Sequence, residues 1–345
     1  MINFARVVAA LIAAALIGWG VADVGAQTRA VPRPLNAPQQ IDVKSVPIDS
    51  FEPRDPSRKR FGALEFRGGL ELSSSARAFG GISGLKVFPD GSQFLAVTDR
   101  GRWLKGRIVY RHDVPIGIAD AEMAPVLGPD GRPIVARGWY DTESLSEENG
   151  VAYLGLERVN KILRFEFGRH GLSAYGQTVA APLAIDKLPN NKGLECLAVF
   201  PKGTPKGGTL VAIAERALNP AGDYRGFLVA GAASGEFAIQ RHDSFDISDC
   251  SLLPDGDLLV LERHFTWATG LAIRLRRVAR SAIAVGATAQ GVLLFEADLG
   301  YQIDNMEALS VYVDKDGTTI LTMMSDDNFS MLQRTLLLQF ALVGD

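Results

Sequence analysis

Histidine and cysteine are scarce in this chain, with four and two respectively in 345 residues. Neither cysteine has a histidine or a second cysteine at metal-ligand spacing, and no H-E-x-x-H occurs, which excludes a Cys/His zinc site. No P-loop is present. The serine-nucleophile elbow G-x-S-x-G is missing too, since Gly81-Ile82-Ser83-Gly84 lacks its spacing. Charge of one sign is equally wanting: 36 basic against 39 acidic residues leave a net charge of −3 with no long run of either sign. That removes any nucleic-acid footprint and makes a small molecule the expected partner. Helical periodicity is hard to find anywhere. What remains is a chain that is 47% hydrophobic, enough for a substantial core, and patterned as strands.

The N-terminus has the three-part plan of a secretory signal: Arg6, an apolar stretch from Val7 to Ala22, and small residues at Val24-Gly25-Ala26. Cleavage after Ala26 is expected; the alternative is an uncleaved anchor, because the apolar stretch is slightly long for a signal core. Either way the body is exported, to the periplasm or beyond, and no membrane span remains after cleavage. No twin-Arg pair precedes the stretch and no lipidation Cys follows it. From Gln27 to Arg60 the composition turns to Pro, Gln, Arg and Asp, including Pro32, Pro34, Pro38, Pro47, Pro53 and Pro56. This reads as an extended linker, residues 27–60, ahead of one domain, 61–345.

The domain is organised by a repeated hairpin. Its clearest copy runs from Ser248 to Phe265, where Cys250, Leu252 and Leu253 stop at the turn Pro254-Asp255-Gly256 and a second run, Leu258 to Leu261, ends in Glu262-Arg263. Copies begin at Ser83, Glu143, Glu195, Ser248 and Glu307, 52 to 60 residues apart, room for about four strands each. That spacing predicts an all-β fold, a β-propeller with five blades favoured over six. The last copy has too few residues for a full blade, so a strand from Phe61 to Leu72 is expected to complete it and close the ring. Cys196 and Cys250 sit in corresponding segments of adjacent copies. An exported body permits a disulfide, but neighbouring blades diverge from the axis, so two buried free thiols are expected.

Each copy carries two polar marks. The first opens its first strand: Ser83, Glu143, Glu195, Ser248 with Asp249, and Glu307. The second closes its second strand: Asp99-Arg100, Glu157-Arg158, Glu215-Arg216, Glu262-Arg263 and Asp326-Asp327. In a propeller these positions meet around the axis. Close carboxylates raise one another's pKa unless cations neutralise them, and an oxygen-rich cluster without Cys or His suits Ca²⁺, or Mg²⁺ or Mn²⁺. Glu143, Glu195 and Glu307, with Asn191, Asp304 and Asp326 around them, are the candidate metal ligands. Arg100, Arg158, Arg216 and Arg263, with Lys192, are candidates for holding an anionic substrate. His264, the histidine beside the marks, is the candidate acid or base together with Glu195. The competing reading gives each Glu-Arg pair, and His264, a structural role within its own blade, and leaves Lys192 solvated.

Gly81-Ile82-Ser83-Gly84-Leu85, Asp99-Arg100-Gly101, Asn191-Lys192-Gly193-Leu194-Glu195, Leu253-Pro254-Asp255-Gly256, Leu261-Glu262-Arg263 and Asp326-Asp327-Asn328-Phe329 resemble the phytase-like family of exported bacterial proteins, described by "esterase-like activity of phytase". The resemblance runs from about Phe61 to the C-terminus and implies an exported β-propeller with phosphate-ester or other ester hydrolysis, calcium-assisted. The metal-site motifs of the well-studied six-bladed phytases have no match in this chain. A metal-assisted hydrolase of a phosphate ester or small ester leads; a non-catalytic ligand- or partner-binding propeller and a metal-dependent lactonase are the alternatives.

Overall fold

The computed structural model describes residues 37–189, 192–231 and 234–344. The expected signal segment and Asn191 lie outside them. Five sheets, antiparallel except for one outermost pair in the third, follow one another around an axis, one per repeat, and no further blade intervenes among the described residues. Their inner strands are Ile82–Val87, Thr142–Glu148, Leu194–Val199, Asp246–Leu252 and Met306–Val313, each lying against the next, with the fifth against the first. These five strands begin within a residue or two of the first polar marks, because each hairpin turn fixes where its two apolar runs can pair.

Blade 5 is built from both ends of the chain. Its strands Met306–Val313, Thr319–Ser325 and Thr335–Leu342 are followed outward by Leu64–Ser73 and then Lys44–Ile48. Pairing of Thr335–Leu342 with Leu64–Ser73 buries both and leaves no open edge at the closure. The Pro-rich segment is laid on the body from Gln39 onward: Gln39–Gln40 pairs on the outer strand of blade 1, and Phe51 is fully buried. Its ring packs on Phe61, Phe340 and Tyr301 at centroid distances of 5.0, 5.1 and 5.3 Å.

Each seam between inner strands carries its own stitch. Ser83 Oγ donates to Thr142 O between blades 1 and 2. Ser144 Oγ donates to Leu194 O and Val199 N to Ser146 Oγ, at 3.3 and 3.0 Å, between blades 2 and 3. Leu309 N donates to Asp249 Oδ2 at 2.6 Å between blades 4 and 5, and Val87 N to Ser310 Oγ at 2.8 Å between 5 and 1. Between blades 3 and 4 the stitch is covalent: Cys196 and Cys250 form a disulfide, with Cα atoms 5.1 Å apart. The sequence leads one to expect two free thiols, and the hub explains the difference. Blades diverge outward, but both cysteines sit on inner strands, where blades converge. A bridge closing a loop of this length stabilises the fold by about 2–4 kcal/mol.

Candidate active site in the channel

A single backbone device builds the site. In every blade the ladder between the first two strands skips one residue of the inner strand, and the skipped residues are Ser83, Glu143, Glu195, Ser248 and Glu307. A β-bulge leaves its extra residue unpaired and re-aims its side chain. The five first marks are therefore five bulges, and the three that are acids, Glu143, Glu195 and Glu307, meet in one cluster, while Ser83 and Ser248 bond backbone carbonyls. The residue that follows the skip's partner on the second strand is Asp99, Glu157, Glu215, Arg263 and Asp326 in blades 1 to 5. Together these positions give seven carboxylates, two serines and one guanidinium.

Blade 4 departs from the sequence reading at this point. Leu261-Glu262-Arg263 looks like Leu156-Glu157-Arg158, but Glu262 pairs with Ile247 one step before the bulge, so Arg263 stands where the other blades place an acid. Strand alternation then turns Glu262 into the blade, fully buried, where Arg274 and Arg276 from the third strand neutralise it; Arg276 Nε lies 3.0 Å from Glu262 Oε2. Arg263 points into the cluster. Its Nη1 donates to Glu307 Oε1 and to Asn305 Oδ1, and its Nη2 lies 3.5 Å from Glu215 Oε1. Asn305 Nδ2 donates to Glu307 Oε1 at 3.0 Å.

One guanidinium does not balance seven acids, and the titration of the group shows it. Burial pushes Asp326 up to about 9, with Glu307 adding to the rise, and pushes Asp99 up to about 6 against the pull of Arg100. Glu143 and Glu195 are raised well above the carboxylate range, first by burial and then by their neighbours, Glu307 for the one and Glu143 and Glu215 for the other. Glu157 and Glu215 are also raised by burial, held back by the Gly193 N–H and by Arg263 respectively. The same acids lift Arg263 despite its burial, Glu307 most.

Within this cluster Glu157, Glu195 and Glu215 each present an oxygen within 4.8 Å of the others, all three residues being buried. Two glycines of the motifs make the close approaches possible. Gly193 N donates to Glu157 Oε1 at 3.0 Å, and a Cβ on Gly193 would stand 2.7 Å from Glu157 Cγ. Gly81, at φ +64°, threads between Asp99 and Phe329, where a Cβ would come within 2.5 Å of both.

The other expected residues fall into distinct places. Glu143, Glu307 and Asp326 join Glu195 in the cluster. Asp304 does not: its oxygens take Asn305 N and Arg334 N at 2.9 and 3.0 Å, which fixes a loop. Arg100, Arg158 and Arg216 are exposed, each following a cluster acid, with Arg100 over the Phe329 ring, Arg158 over Tyr140, and Arg216 paired to Asp246 at 2.6 Å. They form a cationic rim. Lys192 is exposed beside Gly193. His264 is turned away by alternation after Arg263; its Nδ1 meets Ser244 O at 2.9 Å and its ring packs on Phe245. The expected metal set leaves out Asp99, Glu157 and Glu215. Their signal is nonetheless present in the sequence, as the acid of each acid-Arg pair.

The model of the family described as "Phytase-like: Esterase-like activity of phytase" matches residues 77–329, most of the chain and all of this site. The chain belongs to the phytase-like family. No curated protein matches it. Among solved structures, the PQQ-bound aldose sugar dehydrogenase of Streptomyces coelicolor is 12% identical, with 88% of this chain and 99% of that one covered and a TM-score of 0.38. Glutaminyl cyclase of Myxococcus xanthus is also 12% identical, over 77% and 92%, with a TM-score of 0.39. A putative oxidoreductase (glucose dehydrogenase) of Thermus thermophilus is 15% identical, over 87% and 100%, with a TM-score of 0.32. Likenesses this remote carry nothing about the reaction of the phytase-like chain. Among the described residues no helix is long and apolar enough to cross a membrane.

Proposed function

We propose that this phytase-like propeller is an exported, metal-assisted hydrolase that takes a phosphate ester or small ester at the acidic end of its channel. The observation that carries the reading is the excess of acid in the ring, seven carboxylates to the one guanidinium of Arg263, five of them buried and three within 4.8 Å of one another. Buried acids without counter-charge are costly, and a hard divalent cation, Ca²⁺ above others, is the partner that an all-oxygen set suits. The donor set fits. Glu157, Glu195 and Glu215 are the residues to hold the ion, which when bound supplies Lewis-acid polarisation of a phosphoryl or acyl oxygen.

The chain's own groups do the rest. Arg100, Arg158 and Arg216 at the rim offer guanidinium donors to an anionic substrate as it enters. Of the acids left over by the ion, Asp326 is the proposed donor toward a leaving oxygen and Asp99 the proposed acceptor from water.

The test is a protein lacking residues 1–26, analysed for bound metal and assayed on aryl phosphates and aryl esters with Ca²⁺, Mg²⁺, Mn²⁺ or chelator. The reading expects cation-dependent turnover, and expects Glu195→Gln to lose both the ion and the activity. Bound cation without turnover on the whole panel would leave a binding module; absence of cation binding would remove the metal site.

A further inference from the structure

At the end of the channel away from the carboxylates, the last residues of all five inner strands and the hairpins beyond them enclose a cavity of about 760 Å³. Cavities that hold small organic ligands span about 300–1,000 Å³. Its wall is largely apolar, with Leu85, Leu197, Leu309 and Val311 among the side chains that form it. Three cations also line it, and two of them are bonded to backbone carbonyls. Lys206 Nζ donates to the carbonyls of Arg280, at 2.9 Å, and Ile283, and Arg280 Nη1 donates to Asp255 O at 2.8 Å.

Lys86 differs from both. Its nearest acid, Glu147 Oε2, is 4.0 Å away, beyond hydrogen-bond range, and Glu147 Oε1 is taken by Gly150 N at 2.6 Å. Among the described residues none of its three N–H donors has an acceptor within reach. The acids of the cavity are engaged instead: Glu148 by Asn149 at 2.7 Å and Asp255 by Arg277. An apolar chamber with one ammonium whose donors are unused selects a ligand with an apolar body and an anionic head.

We infer that this cavity binds a small apolar carboxylate, its hydrocarbon body between the leucines and its carboxylate on Lys86. The site is separate from the carboxylate ring, so it stands or falls independently of the hydrolase reading. Decanoate and decanol are suitable probes, titrated calorimetrically into the purified protein in chelator-containing buffer, which keeps the cation site silent. Decanoate binds the wild type more tightly than decanol. Lys86→Met weakens decanoate at least tenfold and leaves decanol unchanged, whereas Ser251→Trp, which fills the chamber, abolishes both. Circular dichroism of both variants confirms the fold, and Lys86→Met alone suffices if Ser251→Trp fails to fold. No binding of decanoate to the wild type, equal affinity for the two probes, or decanoate affinity unchanged in Lys86→Met overturns the inference.

Discussion

At one end of the channel seven acids share the single guanidinium of Arg263, and at the other a loose Lys86–Glu147 pair borders a largely apolar chamber; the same five strands line both. What separates the ends is one residue per strand. The bulge at Ser83, Glu143, Glu195, Ser248 or Glu307 frees a polar residue from the ladder at the strand's start, and three of the five are acids of the ring. Two residues later regular pleating resumes, and Leu85, Leu145, Leu197, Cys250 and Leu309 follow. Small residues between them, Gly84, Ser144, Cys196, Asp249 and Ala308, sit where the strands come closest, and three of these carry seam stitches. A propeller of this kind thus makes two chemically opposed sites from one repeat, by letting the ladder slip once.

The substitution expected to break this contrast most is at Arg263. Arg263→Met removes the guanidinium from a buried set of acids and leaves them uncompensated, a loss of about 3–5 kcal/mol for a broken buried pair. Lys86→Met at the other end removes a pair at 4.0 Å whose lysine is a quarter exposed, worth about 1 kcal/mol or less after solvent screening. Urea unfolding of both variants in chelator measures the difference. Equal losses would mean that the acidic end is no more strained than the apolar one.

The sequence made the ring legible and its register illegible. Hairpin turns such as Pro254-Asp255-Gly256 locate all five inner strands, and the segment Phe61–Leu72 overlaps the closing strand Leu64–Ser73 from Leu64 to Leu72. Bulges leave no such trace, because a skipped residue looks like any other member of a strand. Turn lengths that vary from blade to blade therefore hid the offset that puts Arg263, not Glu262, in the channel. Partners from a third strand, Arg274 and Arg276, were equally out of reach, since nothing local ties them to Glu262. The disulfide was missed for a geometric reason: divergence of blades describes their outer strands, and Cys196 and Cys250 are on inner ones.

A second effect sharpens the contrast through pH. Asp99 and Asp326 have folded-state pKa values raised from 3.8 to about 6 and about 9, so the folded protein holds protons that the unfolded chain releases. Their contribution to stability is complete below about pH 4 and is lost as pH rises, through 6 for Asp99 and through 9 for Asp326. Each retained proton gives a slope of about 1.4 kcal/mol per pH unit, stability falling with pH. In chelator, melting temperature is expected to fall between about pH 5 and 9. With Ca²⁺ bound the acids ionise at less cost, so the fall should shrink. A curve that rises across this range, or one that Ca²⁺ leaves untouched, would contradict the reading of the ring as an uncompensated cation site.

The smallest effect expected is at His264, and it separates proximity in sequence from proximity in space. Arg263 and His264 are consecutive on one strand, so their side chains leave opposite faces. The guanidinium enters the carboxylate ring, whereas the imidazole packs on Phe245 and bonds Ser244 O. A group on the far face cannot reach a substrate proton within hydrogen-bond distance of the ring. His264→Gln is therefore expected to leave turnover on an aryl ester or aryl phosphate within about twofold of wild type, and to leave the acidic limb of the pH–rate profile where Asp99 sets it. Should that limb move or turnover collapse while the fold is intact, acid-base chemistry would belong to the histidine, and the channel acids would be left with holding charge alone.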